Sequence, residues 1–300
     1  MNFADRMWAA VEAKGTAAMV GIDPNLELLP EEFAEARDAS LPRAVRAACM
    51  GDFCCALLEA VAALVPAVKP QSAFFEALGA DGVFQWERVV RRARELGLLV
   101  IGDVKRGDIQ STARAYATAF LEGAGETDGA VCDALTLSAF LGSDSIEPFL
   151  EVCDRTRSGV FILVRTSNPG SADFQRLGSP ELSQVIAEHV ARWGKSRLGV
   201  CGLSSVGAVV GATHAAELAG FRARMPHAPL LLPGYGAQGA TARDLGAAFV
   251  SGSQGALVNS SRGISYAYKE GRYAKLGWRE ASVAATREMI ADLESAVGGR

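Results

Sequence analysis

The sequence predicts an α/β protein built as a single (β/α)8 TIM barrel, with residues 1–300 forming one domain. Short apolar runs alternate with longer helical patterns along the 300-residue chain, and this alternation is typical of repeated βαβ units that build a parallel sheet. The short runs lack polar alternation, as expected for strands buried on both faces. A doubly wound open sheet is the alternative, but the first of these runs is not followed by the G-x-G-x-x-G motif that this fold places there. The closed barrel fits better.

Eight strands and the helices between them are predicted in chain order. Residues 1–15 predict an amphipathic helix, because Asp5 and Glu12 interrupt the apolar pattern that a secretory signal would keep. The strands are predicted at Ala17–Ile22, Ala67–Val68, Leu98–Gly102, Ala130–Leu135, Val160–Val164, Leu198–Cys201, Pro229–Leu232 and Gly255–Val258. Helices are predicted at Pro42–Leu64, Gly82–Leu96, Thr112–Glu122, Ser145–Cys153, Pro180–Trp193 and Gly277–Ala296.

Composition and charge exclude several classes of function. The chain has 30 basic and 34 acidic residues and a net charge of -4, so no overall charge draws it to nucleic acid or to an anionic membrane. No apolar run approaches the ~20 residues of a membrane helix, and we expect a soluble, cytoplasmic protein. The six cysteines form no C-x-x-C pair and the three histidines no metal-binding motif. We therefore expect the cysteines to be free thiols and the histidines to pack against helices or lie on the surface, and we expect no metal site.

The most informative segment follows the third predicted strand, in LLVIGDVKRGDIQSTARAYA. Residues two apart on a strand point the same way, so Asp103 and Lys105 can both face the mouth of the barrel. Asp108 follows just before a helix, and Lys69 ends the second strand at the same rim. Alone, Asp108 is more simply a helix-capping acid and Lys69 an exposed charge. Together, the four charges would form a costly buried ion network unless they perform chemistry.

A series of motifs runs in order from about residue 20 to residue 265. It comprises GIDP at 21–24, VKP at 68–70, D-x-K-x-x-D-I-x-x-T at 103–112, TSNPG at 166–170, PGYGAQG at 233–239 and Arg262. With these motifs the chain resembles the orotidine 5′-monophosphate decarboxylases, in their longer bacterial (type 2) branch. The third motif alone marks a wider barrel superfamily, whereas the whole series is much more specific.

The resemblance implies a carboxy-lyase that converts orotidine 5′-monophosphate to UMP, the last step of de novo pyrimidine biosynthesis. It implies a small-molecule nucleotide substrate, no cofactor, no metal, and a homodimer with shared active sites. Lys69, Asp103 and Lys105 would come from one subunit and Asp108 from its partner. Asp103 would lie against the substrate carboxylate, and Lys105 would stabilise and then protonate the carbanion. Lys69 and Asp108 would hold these groups in place and bind ribose hydroxyls.

The resemblance also implies contacts to the ribose and the base. Asp23 would bind a ribose hydroxyl, although an aspartate before proline is also a common turn former. Ile109 and Thr112 would reach into the partner's site. Ser167 would read the amide edge of the pyrimidine, with Ser138 as a weaker candidate for the same contact.

The phosphate is expected beyond the last two strands, where barrels commonly bind it. A glycine-rich loop is a weak signal by itself, and its simpler reading is a flexible turn. By resemblance, Gln238 in that loop would bridge phosphate and base, and Arg262 after the eighth strand would supply a guanidinium suited to bidentate phosphate binding.

Other functions remain as alternatives. A metal-dependent sugar-phosphate decarboxylase or synthase of the same barrel superfamily would share D-x-K-x-x-D, but would use an acidic residue where this chain has Lys69. A Schiff-base aldolase would need a lysine of depressed pKa, which two neighbouring aspartates oppose. A binding protein without chemistry would not explain the four charges. Residues 25–41 and 261–276 are expected to include insertions of unassigned role.

Overall fold

Eight parallel strands close into a barrel. The computed structural model describes residues 1–123, 130–236 and 242–297. Within them each strand pairs with the next in chain order, and the eighth pairs with the first. The strands are β1 Ala18–Ile22, β2 Ala67–Pro70, β3 Leu99–Arg106, β4 Ala134–Leu137, β5 Gly159–Arg165, β6 Val206–Val210, β7 Leu230–Pro233 and β8 Ala256–Ser260. The predicted (β/α)8 TIM barrel is confirmed.

Most helices pack against the outer face of the barrel. They are α1 Phe3–Lys14, α2 Arg43–Val61, α3 Ser72–Glu76, α4 Gly79–Glu95, α5 Gln110–Ala117, α6 Glu147–Thr156, α7 Ala172–Gln175, α8 Leu182–Gly194, α9 Ala215–Arg224, α10 Arg262–Ser265 and α11 Trp278–Val297. A π-helical turn at Thr118–Glu122 continues α5. Within the described part of the chain, none of the helices has both the length and the hydropathy needed to cross a membrane.

Two apolar clusters lie on opposite faces of the strands. Along β1, Met19 belongs to the cluster inside the barrel, whereas Val20 belongs to the cluster between strands and helices. The same alternation occurs along β3, with Ile101 inside and Val100 outside. Both faces of each strand are therefore buried, which explains why the strand sequences show no polar alternation.

Helix α1 closes the amino-terminal end of the barrel. Asn2 and Asp5 form a capping box at its start, and Lys14 lies in its last turn, where a cation is favoured. Phe3 is fully buried and packs edge-on against Phe161 of β5, with ring centroids 5.9 Å apart. The predicted amphipathic helix is confirmed, and it seals the end of the barrel opposite the predicted site.

Two predicted strands are wrong in position. The sixth was predicted at Leu198–Cys201, but this segment forms a turn beneath the barrel, where the Cys201 backbone N–H donates to the Asp5 carboxylate at 2.9 Å. The true strand is the valine-rich Val206–Val210. The fourth strand was predicted at Ala130–Leu135 and instead runs over Ala134–Leu137. All the predicted strands except the sixth overlap the observed ones, the fourth only at Ala134 and Leu135.

The two segments of unassigned role pack against each other. Residues 25–41 form 3-10 helices at Leu26–Leu28 and Glu31–Arg37, and residues 261–276 contain α10 and 3-10 helices at Ala267–Lys269 and Gly271–Tyr273. The Tyr268 hydroxyl donates to the Leu28 carbonyl at 2.8 Å. Phe33 packs edge-on against Trp278 at the start of α11, with centroids 5.7 Å apart. These segments form a wall beside the ends of β1 and β8.

Candidate active site

The end of β3 presents an aspartate and a lysine to the barrel mouth. The pairing of β3 with β4 shifts register between Gly102 and Arg106. Within this irregular stretch Lys105 adopts a left-handed backbone with φ of 44°, a conformation that residues other than glycine adopt at a steric cost. The irregularity brings the Lys105 ammonium back over the strand, where it meets Asp103.

The Asp103 carboxylate lies at the centre of a dense group of donors. Its Oδ2 atom accepts from Lys69 Nζ at 2.5 Å and from Gln71 Nε2 at 3.0 Å. Its Oδ1 atom accepts from Lys105 Nζ at 2.6 Å and from Thr136 Oγ1 at 2.8 Å. Residues from β2, β3 and β4 thus converge on one carboxylate, as the carboxyl ends of adjacent parallel strands allow.

Burial and charge act in opposite directions on this carboxylate. Asp103 is 6% exposed. Burial alone would raise the pKa of Asp103, but the ammonium groups of Lys69 and then Lys105 hold that pKa well below its ordinary value. Burial likewise disfavours the charge of Lys69, yet the nearby Asp103 and Asp23 raise the pKa of Lys69 above its ordinary value. The group remains ionised, and a negative charge faces the cavity between two positive ones.

A cavity of about 500 Å³ opens over this group. Its wall includes Lys69, Asp103, Lys105, Thr136, Ser167 and Gln175. The volume suits a small-molecule ligand. Of the two candidate serines, Ser167 lines this cavity, whereas Ser138 follows β4 and hydrogen-bonds through its backbone N–H to the Arg106 carbonyl. The geometry therefore favours Ser167 for a contact to the ligand.

The loop that carries Ser167 is held by side chains on either side. Gln175 of α7 accepts from the Thr166 backbone N–H and donates to the Thr166 hydroxyl, both at 2.8 Å. His214 Nε2 lies 2.9 Å from the Thr166 carbonyl, so this histidine has the packing role expected from sequence. A Cβ on Gly211 would lie 2.9 Å from the Ser167 Cβ, and a side chain there would displace the serine.

A second cavity of about 230 Å³ adjoins the first, since Lys69, Asp103 and Pro233 line both. Asp23 and Arg262 lie on its wall. Asp23 Oδ1 and Asn259 Oδ1 are buried, and neither has a hydrogen-bond partner among the described residues. Buried oxygens of this kind normally accept a hydrogen bond. The second cavity therefore presents acceptors and a guanidinium to a polar ligand.

Three predicted residues lie outside this group in the single chain. Asp108 accepts from the Ile109 backbone N–H at 2.8 Å, Ile109 is 43% exposed, and Thr112 is exposed on α5. The structure thus brings Lys69, Asp103 and Lys105 together and leaves Asp108 apart. Gln238 falls outside the described residues.

Gln71 and Thr136 contact Asp103 and were not predicted. Gln71 stands two residues after Lys69, so the same spacing rule that paired Asp103 with Lys105 would have placed it at the rim. Thr136 was missed because the fourth strand was predicted to end at Leu135, two residues before its observed end at Leu137. Its hydroxyl also accepts from the Lys105 backbone N–H at 3.1 Å, which couples β4 to the irregular end of β3.

Comparisons with known proteins agree with this geometry. Residues 20–275 match the family described as "Orotidine 5'-phosphate decarboxylase / HUMPS family". A curated orotidine 5'-phosphate decarboxylase from Rhodopirellula baltica is 46% identical, covering 98% of this chain and 99% of the relative. One from Deinococcus radiodurans is 44% identical, covering 89% and 90%.

A solved structure also aligns over almost the whole chain. The structure of Leishmania donovani OMP decarboxylase is 32% identical, covers 99% of both chains and superposes with a TM-score of 0.75. The family match covers far more than half of the sequence and includes every charged residue of the group described above. The chain belongs to the orotidine 5'-phosphate decarboxylase / HUMPS family.

Proposed function

We propose that the protein is a carboxy-lyase that decarboxylates orotidine 5′-monophosphate to UMP in pyrimidine biosynthesis. The observation that carries this proposal is the Asp103 carboxylate held between the Lys69 and Lys105 ammonium groups under a cavity of about 500 Å³. The curated relatives that are 46% and 44% identical are both named as enzymes of this reaction. The charged group in the structure and the reaction named for the relatives therefore support the same function.

The chemistry required of the site is the stabilisation of a carbanion. When the bond from the pyrimidine ring to its carboxylate breaks, the electron pair stays on the ring carbon and carbon dioxide leaves. Asp103 faces the substrate carboxylate, and this like-charge contact is relieved as carbon dioxide departs. The Lys105 ammonium stabilises the developing negative charge and then donates a proton to that carbon. Lys69 keeps Asp103 ionised.

The remaining contacts follow the two cavities. Ser167 reads the pyrimidine, and Asp23 accepts a hydrogen bond from a ribose hydroxyl through its buried carboxylate oxygen. Arg262, on the wall of the second cavity, binds the phosphate. Gln238 bridges phosphate and base in the same proposal, on the strength of its motif alone.

We infer a homodimer with shared sites from the position of Asp108. Its carboxylate makes no ion pair with the three charges of its own chain, within the described residues. Ile109 beside it is an exposed apolar residue. In the dimer, Asp108, Ile109 and Thr112 enter the partner's site. A reducing cytoplasm suits the six free cysteines.

The metal-dependent alternative fits less well. The family description names a second group, HUMPS, beside the decarboxylases. The family match alone therefore does not separate decarboxylation of orotidine 5′-monophosphate from the metal-dependent sugar-phosphate reaction. In this chain, however, Lys69 lies one residue before the end of β2 and binds Asp103 through its ammonium, where the alternative requires an acidic ligand for the cation. The curated relatives carry the decarboxylase name.

An absorbance assay with orotidine 5′-monophosphate tests the function. We expect the wild type to consume the substrate equally with and without a chelator. Lys105→Ala lowers kcat at least a hundredfold, because the variant loses both the charge and the proton donor. Lys195→Ala, which removes an exposed lysine, serves as the matched control and retains full activity. Chelator-sensitive turnover, or turnover of sugar phosphates alone, would establish the metal-dependent alternative instead.

A further inference from the structure

The segment that follows β8 packs directly against the end of β1. A Cβ on Gly21 would lie 1.9 Å from Ser261 Oγ, so only glycine permits this approach. The Ser265 hydroxyl donates to the Gly21 carbonyl at 3.3 Å. From the other side, Ser282 of α11 donates to the Ile264 carbonyl at 2.9 Å. Helix α10 is therefore held between β1 and α11.

Tyr266, at the end of α10, bonds to the turn that carries Asp23. Its hydroxyl donates to the Asp23 carbonyl at 2.7 Å and accepts from the Asn25 backbone N–H at 2.8 Å. The ring is 5% exposed and stacks on Phe53 of α2, with centroids 6.2 Å apart and planes 4° from parallel. A hydroxyl on a ring held in this way fixes both ends of the turn.

The turn determines where the Asp23 carboxylate points. That side chain lines the second cavity, and its Oδ1 atom has no hydrogen-bond partner among the described residues. The carboxylate is thus placed by the backbone of residues 23–25, and the Asn25 N–H that closes this turn onto the Asp23 carbonyl at 2.8 Å is shared with Tyr266. Moving the turn would move the carboxylate.

We propose that Tyr266 is a positioning residue, which fixes the Asp23 turn so that the Asp23 carboxylate meets a ribose hydroxyl of the nucleotide. This inference rests on the proposed function, and it gives a role to the otherwise unassigned segment 261–276. The same helical turn begins with Arg262, whose carbonyl accepts from the Tyr266 N–H at 3.1 Å. One turn of helix therefore links the proposed phosphate contact to the proposed ribose contact.

The chain offers a matched control in Tyr268. Its hydroxyl also joins the segment after β8 to the segment after β1, by donating to the Leu28 carbonyl at 2.8 Å. Tyr266→Phe and Tyr268→Phe each remove one such hydroxyl and keep the ring. Both variants lose hydrogen bonding between the two segments, but only Tyr266 contacts the turn of Asp23.

The test is a double-mutant cycle with Asp23→Asn, read as kcat/KM for orotidine 5′-monophosphate. We expect Tyr266→Phe to lower kcat/KM about tenfold and Tyr268→Phe to change it less than about twofold. Adding Tyr266→Phe to Asp23→Asn should cause no further loss, because the two residues act through one carboxylate.

Two results would overturn the inference while leaving the proposed function intact. One is an active wild type in which Tyr266→Phe behaves as Tyr268→Phe does. The other is a double variant in which the losses from Tyr266→Phe and Asp23→Asn multiply, which would show that Tyr266 acts independently of Asp23. A wild type that leaves the substrate unchanged would instead refute the proposed function, and this inference with it.

Discussion

Asp103 is almost completely buried, and four hydrogen-bond donors stabilise its negative charge. Two of them, Lys69 and Lys105, are ammonium groups, and two, Gln71 and Thr136, are neutral. Lys69 is itself 4% exposed, so neither Lys69 nor Asp103 can turn to solvent. Removing one charge would leave the other buried without compensation, which is far more costly than losing an exposed ion pair.

Asp103→Asn should therefore destabilise the fold and do so in a pH-dependent way. We expect a loss of about 3 kcal/mol in the free energy of unfolding at pH 7, because Lys69 is left buried without its partner. The lowered folded-state pKa of Asp103 means that its charge stabilises the fold above its unfolded-state pKa of about 3.9, and that this contribution is lost as the pH falls further.

Urea unfolding of wild type and Asp103→Asn between pH 7 and pH 2 measures this difference. It should be constant near neutrality and shrink below about pH 4. Asp144→Asn, at an exposed position, is the control and should match the wild type. A difference that grows as the pH falls would contradict the assigned ion pair.

The spacing of charged residues predicted much of this group but not all of it. Asp103 and Lys105 could be placed together because strand geometry fixes the direction of alternate side chains. The pattern does not reveal that the backbone turns left-handed at Lys105, since that depends on pairing with β4. Contacts such as that of Thr136 depend on register between strands, which sequence periodicity leaves open.

At the scale of elements, α1 closes the barrel end remote from the charges. Phe3 fills the space above Phe161, and Arg6 forms an ion pair with Asp133, which precedes β4. Asp5 caps α1 and also accepts from the backbone of Cys201. Because catalysis in barrels uses the opposite, carboxyl end of the strands, this closure should matter for stability alone.

Phe3→Ala tests this separation. We expect a loss of about 3 kcal/mol in unfolding free energy, because a fully buried ring is removed from the core, with kcat unchanged at a temperature where the variant is folded. Phe84→Ala removes the same side chain from a position that is 64% exposed and should stay within about 0.5 kcal/mol of wild type. A large fall in kcat for Phe3→Ala would show that the two ends of the barrel are coupled.

The same closure explains why the sixth strand was misplaced. The apolar run at Leu198–Cys201 has the composition of a strand, but Val200 is 99% exposed and Gly202 has a positive φ of 80°. This run contacts the start of α1, where the Cys201 backbone N–H donates to the Asp5 carboxylate. Such a tertiary role leaves no periodic signal, whereas Val206–Val210 has the β-branched residues that strands favour.

At the scale of the whole molecule, the proposed dimer predicts complementation between inactive variants. Lys105→Ala and Asp108→Ala should each be inactive alone. If Asp108 serves the partner's site, a mixed dimer has one site with both defects and one that is intact. Subunits exchanged at equal amounts should therefore recover about a quarter of wild-type activity, since half of the dimers are mixed.

A mixture of Lys105→Ala with Lys69→Ala provides the control. Both residues belong to the same chain's site, so every site in a mixed dimer keeps one defect and no activity should return. Recovery in this control, or none in the first mixture despite demonstrated exchange of subunits, would refute sites shared through Asp108.

The left-handed backbone at Lys105 has a consequence for how this protein changes under selection. The conformation costs a lysine about 1 kcal/mol, whereas glycine adopts it freely. Glycine, however, brings no ammonium to Asp103. A glycine at this position would therefore remove the backbone cost but also the ion pair with Asp103, so we expect evolutionary change here to be restricted by the charge and not by the conformation.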